Sequence, residues 1–80
     1  MKVISIDLKK IRDLRIEKEI SHEEMSERLG YPGYHYYYKK EVGIRKMSVE
    51  DIARIAAVLE VPIESLFFEE EVTEMESVNK

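Results

Sequence analysis

Residues 21–48 decide the fold: SHEEMSERLG (21–30), YPGYHYYYKKEVG (31–43) and IRKMS (44–48). Ser21 and Glu24 stand at capping-box spacing, where each side chain accepts from a free amide at the start of a helix. Met25, Arg28 and Leu29 continue the inner face of that helix. Gly30 supplies the residue that tolerates left-handed geometry at its end. Pro32 biases Tyr31 away from helix, and Gly33 frees the backbone for a tight turn. A further helix then has room only from about Gly33 or Tyr34 to Val42, roughly two turns, and Gly43 closes it. Helical residues advance about 100° each, so with Tyr37 inward, Gly33, Tyr34, Lys40 and Glu41 lie within about 60° of the inward direction. His35 and Lys39 point nearly opposite, and Tyr36 and Tyr38 lie on the flanks. One capped helix thus supports a second, short, aromatic and basic helix.

Working outward, Asp7 is the N-cap of a helix reaching about Lys18, with Leu8, Ile11, Leu14 and Arg15 on one stripe. Ser48 and Asp51 cap a fourth helix whose inner stripe is Ile52, Ile55, Ala56 and Leu59. Val61 and Pro62 mark a bend, and Ile63, Leu66 and Phe67 predict a last short helix. Five short helices with short connections predict an all-α domain. Val3, Ile4 and Ile6 leave two readings open for residues 2–6, a short strand or an apolar arm laid over the helices. The organisation read from this is an arm and the start of helix one (1–10), a helix-turn-helix domain (11–68) and an acidic C-terminal tail (69–80). The tail, with Val72, Met75 and Val78 scattered through it, is either solvated or ordered by a partner.

Eighty residues make one small domain. Hydrophobic residues at 44% and charged residues at 38% exclude a disordered chain. Without cysteine there is no disulfide framework and no thiolate metal site, and a reducing cytoplasmic setting is the expectation. No apolar run approaches the roughly 18 residues of a membrane span, and Met1–Leu8 lacks the apolar core of a signal peptide. The net charge is −4, yet residues 1–68 hold 12 Lys/Arg against 12 Asp/Glu, and the excess acid is Glu69, Glu70, Glu71, Glu74 and Glu76. Lys39, Lys40, Arg45 and Lys46 form a local basic stretch broken only by Glu41. No catalytic constellation is present, so an enzyme is not expected. His22 and His35 lack the further ligands of a metal site, and no cofactor or small-molecule ligand is expected.

Residues 11–67 resemble the lambda-repressor/Cro-type helix-turn-helix regulators, the XRE-like family. The likeness is carried by IRDLR (11–15) and by ISHEEMSERLG (20–30), where the family reads L-S-Q-E-E-L-A-x-x-L-G. Glu41-Val42-Gly43 matches its Glu-x-Gly after the recognition helix, and MSVEDIARIAAVLEVPIESLF (47–67) matches the two closing helices. The resemblance implies a five-helix DNA-binding domain and a transcriptional regulator of bacterial or phage origin, a repressor that occludes a promoter. It puts the base-reading positions on Tyr34, His35 and Lys39. It puts His22 where the family has a glutamine touching phosphate. The chain departs from the family in a longer turn with Pro32-Gly33, in Lys40 at a position that packs an apolar residue, and in lacking the usual polar residues of the recognition helix.

The helical geometry and the resemblance agree on His35 and Lys39. The expected base contacts are Tyr34, His35, Tyr36 and Lys39, through donors to base edges and rings to thymine methyls. The expected phosphate contacts are His22, Tyr38, Lys40, Arg45 and Lys46. A domain this small gains by binding as a homodimer on a two-fold symmetric double-stranded site. The N-terminal arm, Leu66-Phe67-Phe68 and the tail are the candidate dimer surface. The alternative function is a protein-interaction module on the same fold, like an antitoxin or antirepressor.

Overall fold

A computed structural model describes residues 1–71. In chain order it contains strand β1 (Lys2–Ile6), helices α1 (Leu8–Glu17), α2 (His22–Leu29), α3 (Tyr34–Glu41) and α4 (Val49–Leu59), a 3-10 helix (Ile63–Leu66) and strand β2 (Phe67–Glu71). The reading of residues 72–80 lies outside the described residues.

The helices start and stop on local chemistry. Asp7 caps α1 by accepting from the Lys10 amide at 3.0 Å, and Ser21 caps α2 by accepting from the Glu24 amide at 3.0 Å. The second half of that box is not formed, because the Glu24 carboxylate pairs with Arg28 one turn on, at 2.6 Å. At α4 the box is complete: Ser48 Oγ accepts from the Asp51 amide and the Asp51 carboxylate accepts from the Ser48 amide. Gly30 ends α2 at φ 80°, the left-handed conformation that costs glycine nothing. Ile11, Met25, Leu29, Tyr37, Ile52, Ile55, Leu59 and Leu66 form the core between the helices, with Ile20, Met47 and Ala56.

The expected five-helix all-α class is overturned on two points. First, of the two readings left open for residues 2–6 the strand is the one formed, and it pairs antiparallel with a second strand that was not expected, from Lys2 opposite Glu71 to Ile6 opposite Phe67. The β-branched residues of β1 and the paired phenylalanines of β2 suit an extended ladder. The amide of Asp7 donates to the Leu66 carbonyl at 2.8 Å and ties the ribbon to the helical body. Second, the last helix is one 3-10 turn: Pro62 precedes it and the chain becomes extended at Phe67 to meet β1. Glu69–Glu71, read as the start of a tail, belong to β2. Among the described residues no helix is long and apolar enough to cross a membrane.

Candidate functional site

The short helix α3 is fixed from beneath by an ionic cluster around Glu41. Its carboxylate accepts from Arg15 Nε at 2.7 Å and Arg15 Nη2 at 3.2 Å, from the Tyr37 hydroxyl at 2.8 Å, and bonds His22 Nε2 at 2.8 Å. Arg15 also donates to the Ile20 carbonyl at 2.7 Å. Burial pushes the Glu41 carboxyl up, but the donors from Arg15, Tyr37 and His22 outweigh it and hold the group ionised below its ordinary range. Burial, reinforced by the neighbouring Glu41 charge, pushes the Tyr37 phenol up and keeps it neutral. A second cluster pins the same C-terminal end of α3 to α4 through the neighbouring Lys40. Asp51 accepts from Lys40 Nζ at 2.7 Å, from the Ser48 amide at 2.8 Å and from the Tyr31 hydroxyl. Burial pushes the Asp51 carboxyl up; Lys40, Tyr31 and Ser48 more than reverse that and hold it far below the usual carboxylate range. Ser26 closes the turn, with its hydroxyl donating to the Tyr34 carbonyl at 3.4 Å and accepting from the Tyr37 amide at 3.3 Å.

With its inner side held in this way, α3 turns Tyr34, His35, Tyr36, Tyr38 and Lys39 outward. Tyr34, Tyr36 and Tyr38 keep 45%, 47% and 36% of their surface exposed. The rings support one another: Tyr34 and His35 lie 4.4 Å apart between centroids, Tyr34 and Tyr38 6.2 Å, and Tyr38 meets His22 edge-on at 5.2 Å. Such contacts fix ring positions beyond the effect of burial alone. On the other flank His35, Tyr36, Lys39 and Arg45 line a shallow depression of about 260 Å³. Arg45 and Lys46 stand exposed in the loop after Gly43. Among the described residues Lys39, Arg45 and Lys46 have no carboxylate partner.

Tyr34, His35, Tyr36, Tyr38 and Lys39 therefore share the outer part of α3, and Arg45 joins His35, Tyr36 and Lys39 around the depression, while Lys46 lines a neighbouring groove with Ile4, Ile6, Leu8 and Gly43. Lys40 does not share that outer part. Its side chain, 18% exposed, is held by Asp51 and lies over the Tyr31 ring at 5.4 Å, so the phosphate contact expected of it would require its ammonium to leave that carboxylate. The reason is angular: three residues after Tyr37, Lys40 falls about 60° from the inward direction. Its stem packs as an apolar residue would, while Asp51 answers the charge. His22 also faces Glu41. Because that carboxylate is ionised it accepts, so Nε2 is the donor and a neutral ring keeps only an acceptor at Nδ1. A phosphate contact from His22 thus requires the imidazolium form.

The residues that build this support were only partly visible in the sequence. Arg15 and Glu41 both fell on inward faces, and a cation and an anion at two such positions are the signal for a buried pair. Asp51 was read only as a cap, and Ser26 carried no signal, since its role depends on the approach of α3. No family model, no curated protein and no solved structure matches the chain.

Proposed function

We propose that the protein is a sequence-specific double-stranded-DNA-binding regulator of the lambda-repressor/Cro type, a homodimeric binding protein of the cytoplasm and not an enzyme. The observation that carries this reading is the two-sided construction of α3. Its inner side is locked by Glu41, Tyr37 and Lys40, while its outer side offers His35, Lys39 and three tyrosines, followed in the next loop by Arg45 and Lys46, which have no carboxylate partner among the described residues. In a major groove α3 supplies the base contacts, and Arg45 and Lys46 meet phosphate. A dimer occludes the DNA that it covers, which is repression where that DNA is a promoter.

The dimer is assigned to the β1–β2 ribbon. Two strands alone are marginal in water, and Ile4 and Phe68 are 59% and 40% exposed there. Leu66, first grouped with that surface, is wholly buried in its own core and contributes nothing to it.

Salt dependence tests the reading. Two phosphate-contacting cations per protomer, Arg45 and Lys46, predict a slope of about −1.8 in log affinity against log salt for each protomer bound. That is roughly a 12-fold loss per protomer between 50 and 200 mM salt, measured by fluorescence anisotropy on labelled duplex. Lys39→Ala should relax base preference, whereas Arg45→Ala should weaken all sequences alike. Absent or salt-independent duplex binding would favour the second reading, a protein-interaction module. The exposed rings of α3 and the net charge of −4 speak for that alternative.

A further inference from the structure

The outward face of α3 is poor in the groups that read bases by paired hydrogen bonds. It holds no arginine, the chain has no glutamine, and its single asparagine is Asn79. Bidentate recognition of adenine by an amide is therefore unavailable to α3, and the one cationic side chain free to meet guanine from it is Lys39, with His35 beside it and the tyrosine hydroxyls offering single hydrogen bonds. Lys40, the other cation of the helix, is held by Asp51. What the face has in quantity is ring surface. Tyr34, Tyr36 and Tyr38 are exposed, and Tyr34 and Tyr38 are braced by His35 and His22 through the ring contacts at 4.4 and 5.2 Å. A braced ring loses little freedom on binding.

The major groove presents one apolar group to such a surface, the C5 methyl of thymine. Rings laid against cytosine or adenine amino groups leave those donors without partners, which is unfavourable. Rings laid against methyl groups lose nothing and remove apolar area from water. We infer that α3 selects thymine-rich sites by packing Tyr34 and Tyr36 on thymine methyls, with Lys39 as the single strong hydrogen-bonding reader. This rests on the duplex-binding reading above. Stacking on unpaired bases fits the geometry less well: the rings are tilted 40–41° or set edge-on to one another, so they offer no parallel slots for bases to enter.

The test uses the full chain and a duplex selected from a random pool. The best-bound duplex is remade with deoxyuridine at every thymidine, which removes the methyls and leaves every donor and acceptor in place. Each contacted methyl should account for about a fourfold loss of affinity, the worth of one methyl group returned to water. Two contacts give about 16-fold. Tyr34→Ser and Tyr36→Ser, both at exposed positions, should shrink the thymidine-to-deoxyuridine ratio toward one while circular dichroism stays unchanged. Sequence-selective binding with the two duplexes within twofold of each other would overturn the methyl readout and leave the DNA-binding reading standing. Equal or tighter binding to the corresponding single strand would overturn it in favour of base stacking. A pool that enriches no duplex would remove the DNA-binding reading and this inference together.

Discussion

Glu41 joins three helices at one carboxylate: Arg15 from α1, His22 from α2 and Tyr37 from its own helix. A buried pair of this kind gives little net stability, because desolvation opposes the attraction, but removing one member strands the other charge. Glu41→Gln is expected to lower unfolding free energy by about 3 kcal/mol, read from urea denaturation. The pH dependence follows from the directions of the shifts. Glu41 and Asp51 titrate lower in the folded chain than in the unfolded one, so their contribution is complete above about pH 5. It is lost as pH falls through their folded values. Tyr31 and Tyr37 are pushed up by burial and neighbouring carboxylates. Their contribution is present below about pH 10 and lost as pH rises through the folded values. The urea midpoint should form a plateau across neutral pH and fall at both ends. A midpoint unchanged down to pH 3 would show that the carboxylates are not held as described.

At the scale of elements, the two halves of the α4 capping box differ in what they support. Ser48→Ala removes a formed box and should cost about 1 kcal/mol. Asp51→Ala should cost more, roughly 2–3 kcal/mol, since Lys40 and Tyr31 lose their shared partner as well. Denaturant midpoints of the two variants, compared side by side, check the order. The caps at Asp7, Ser21 and Ser48 were readable because a cap needs only residues three apart. The other bonds of Asp51, to residues 11 and 20 positions away, have no such local signature. The three glutamates of β2 are poor strand formers and read as a tail. They are extended because β1 offers a ladder, the amino terminus meets Glu71 at 3.1 Å and Lys2 approaches Glu69 at 3.8 Å.

At the scale of the whole molecule, a helical body carries α3 outward on one side and is joined to a ribbon in which residues 2–6 pair with residues 67–71. If that ribbon is where two copies meet, Phe68→Glu should leave a folded monomer in sedimentation equilibrium, with intact helical circular dichroism. Its duplex affinity should fall, because two half-sites can no longer be engaged together. A variant that remains dimeric would move the interface elsewhere.

The sequence by itself determined the capped helices, the turn at Pro32-Gly33 and the division of α3 into a Tyr37 side and a His35–Lys39 side. Those features follow from interactions among near neighbours and from the helical repeat, both written locally. The tertiary structure alone decided the pairing of β1 with β2, the shortened closing helix, and the carboxylates that engage Lys40 and His22. Each of these depends on which distant backbone or carboxylate comes within hydrogen-bonding reach, and only the packing of the helices settles that.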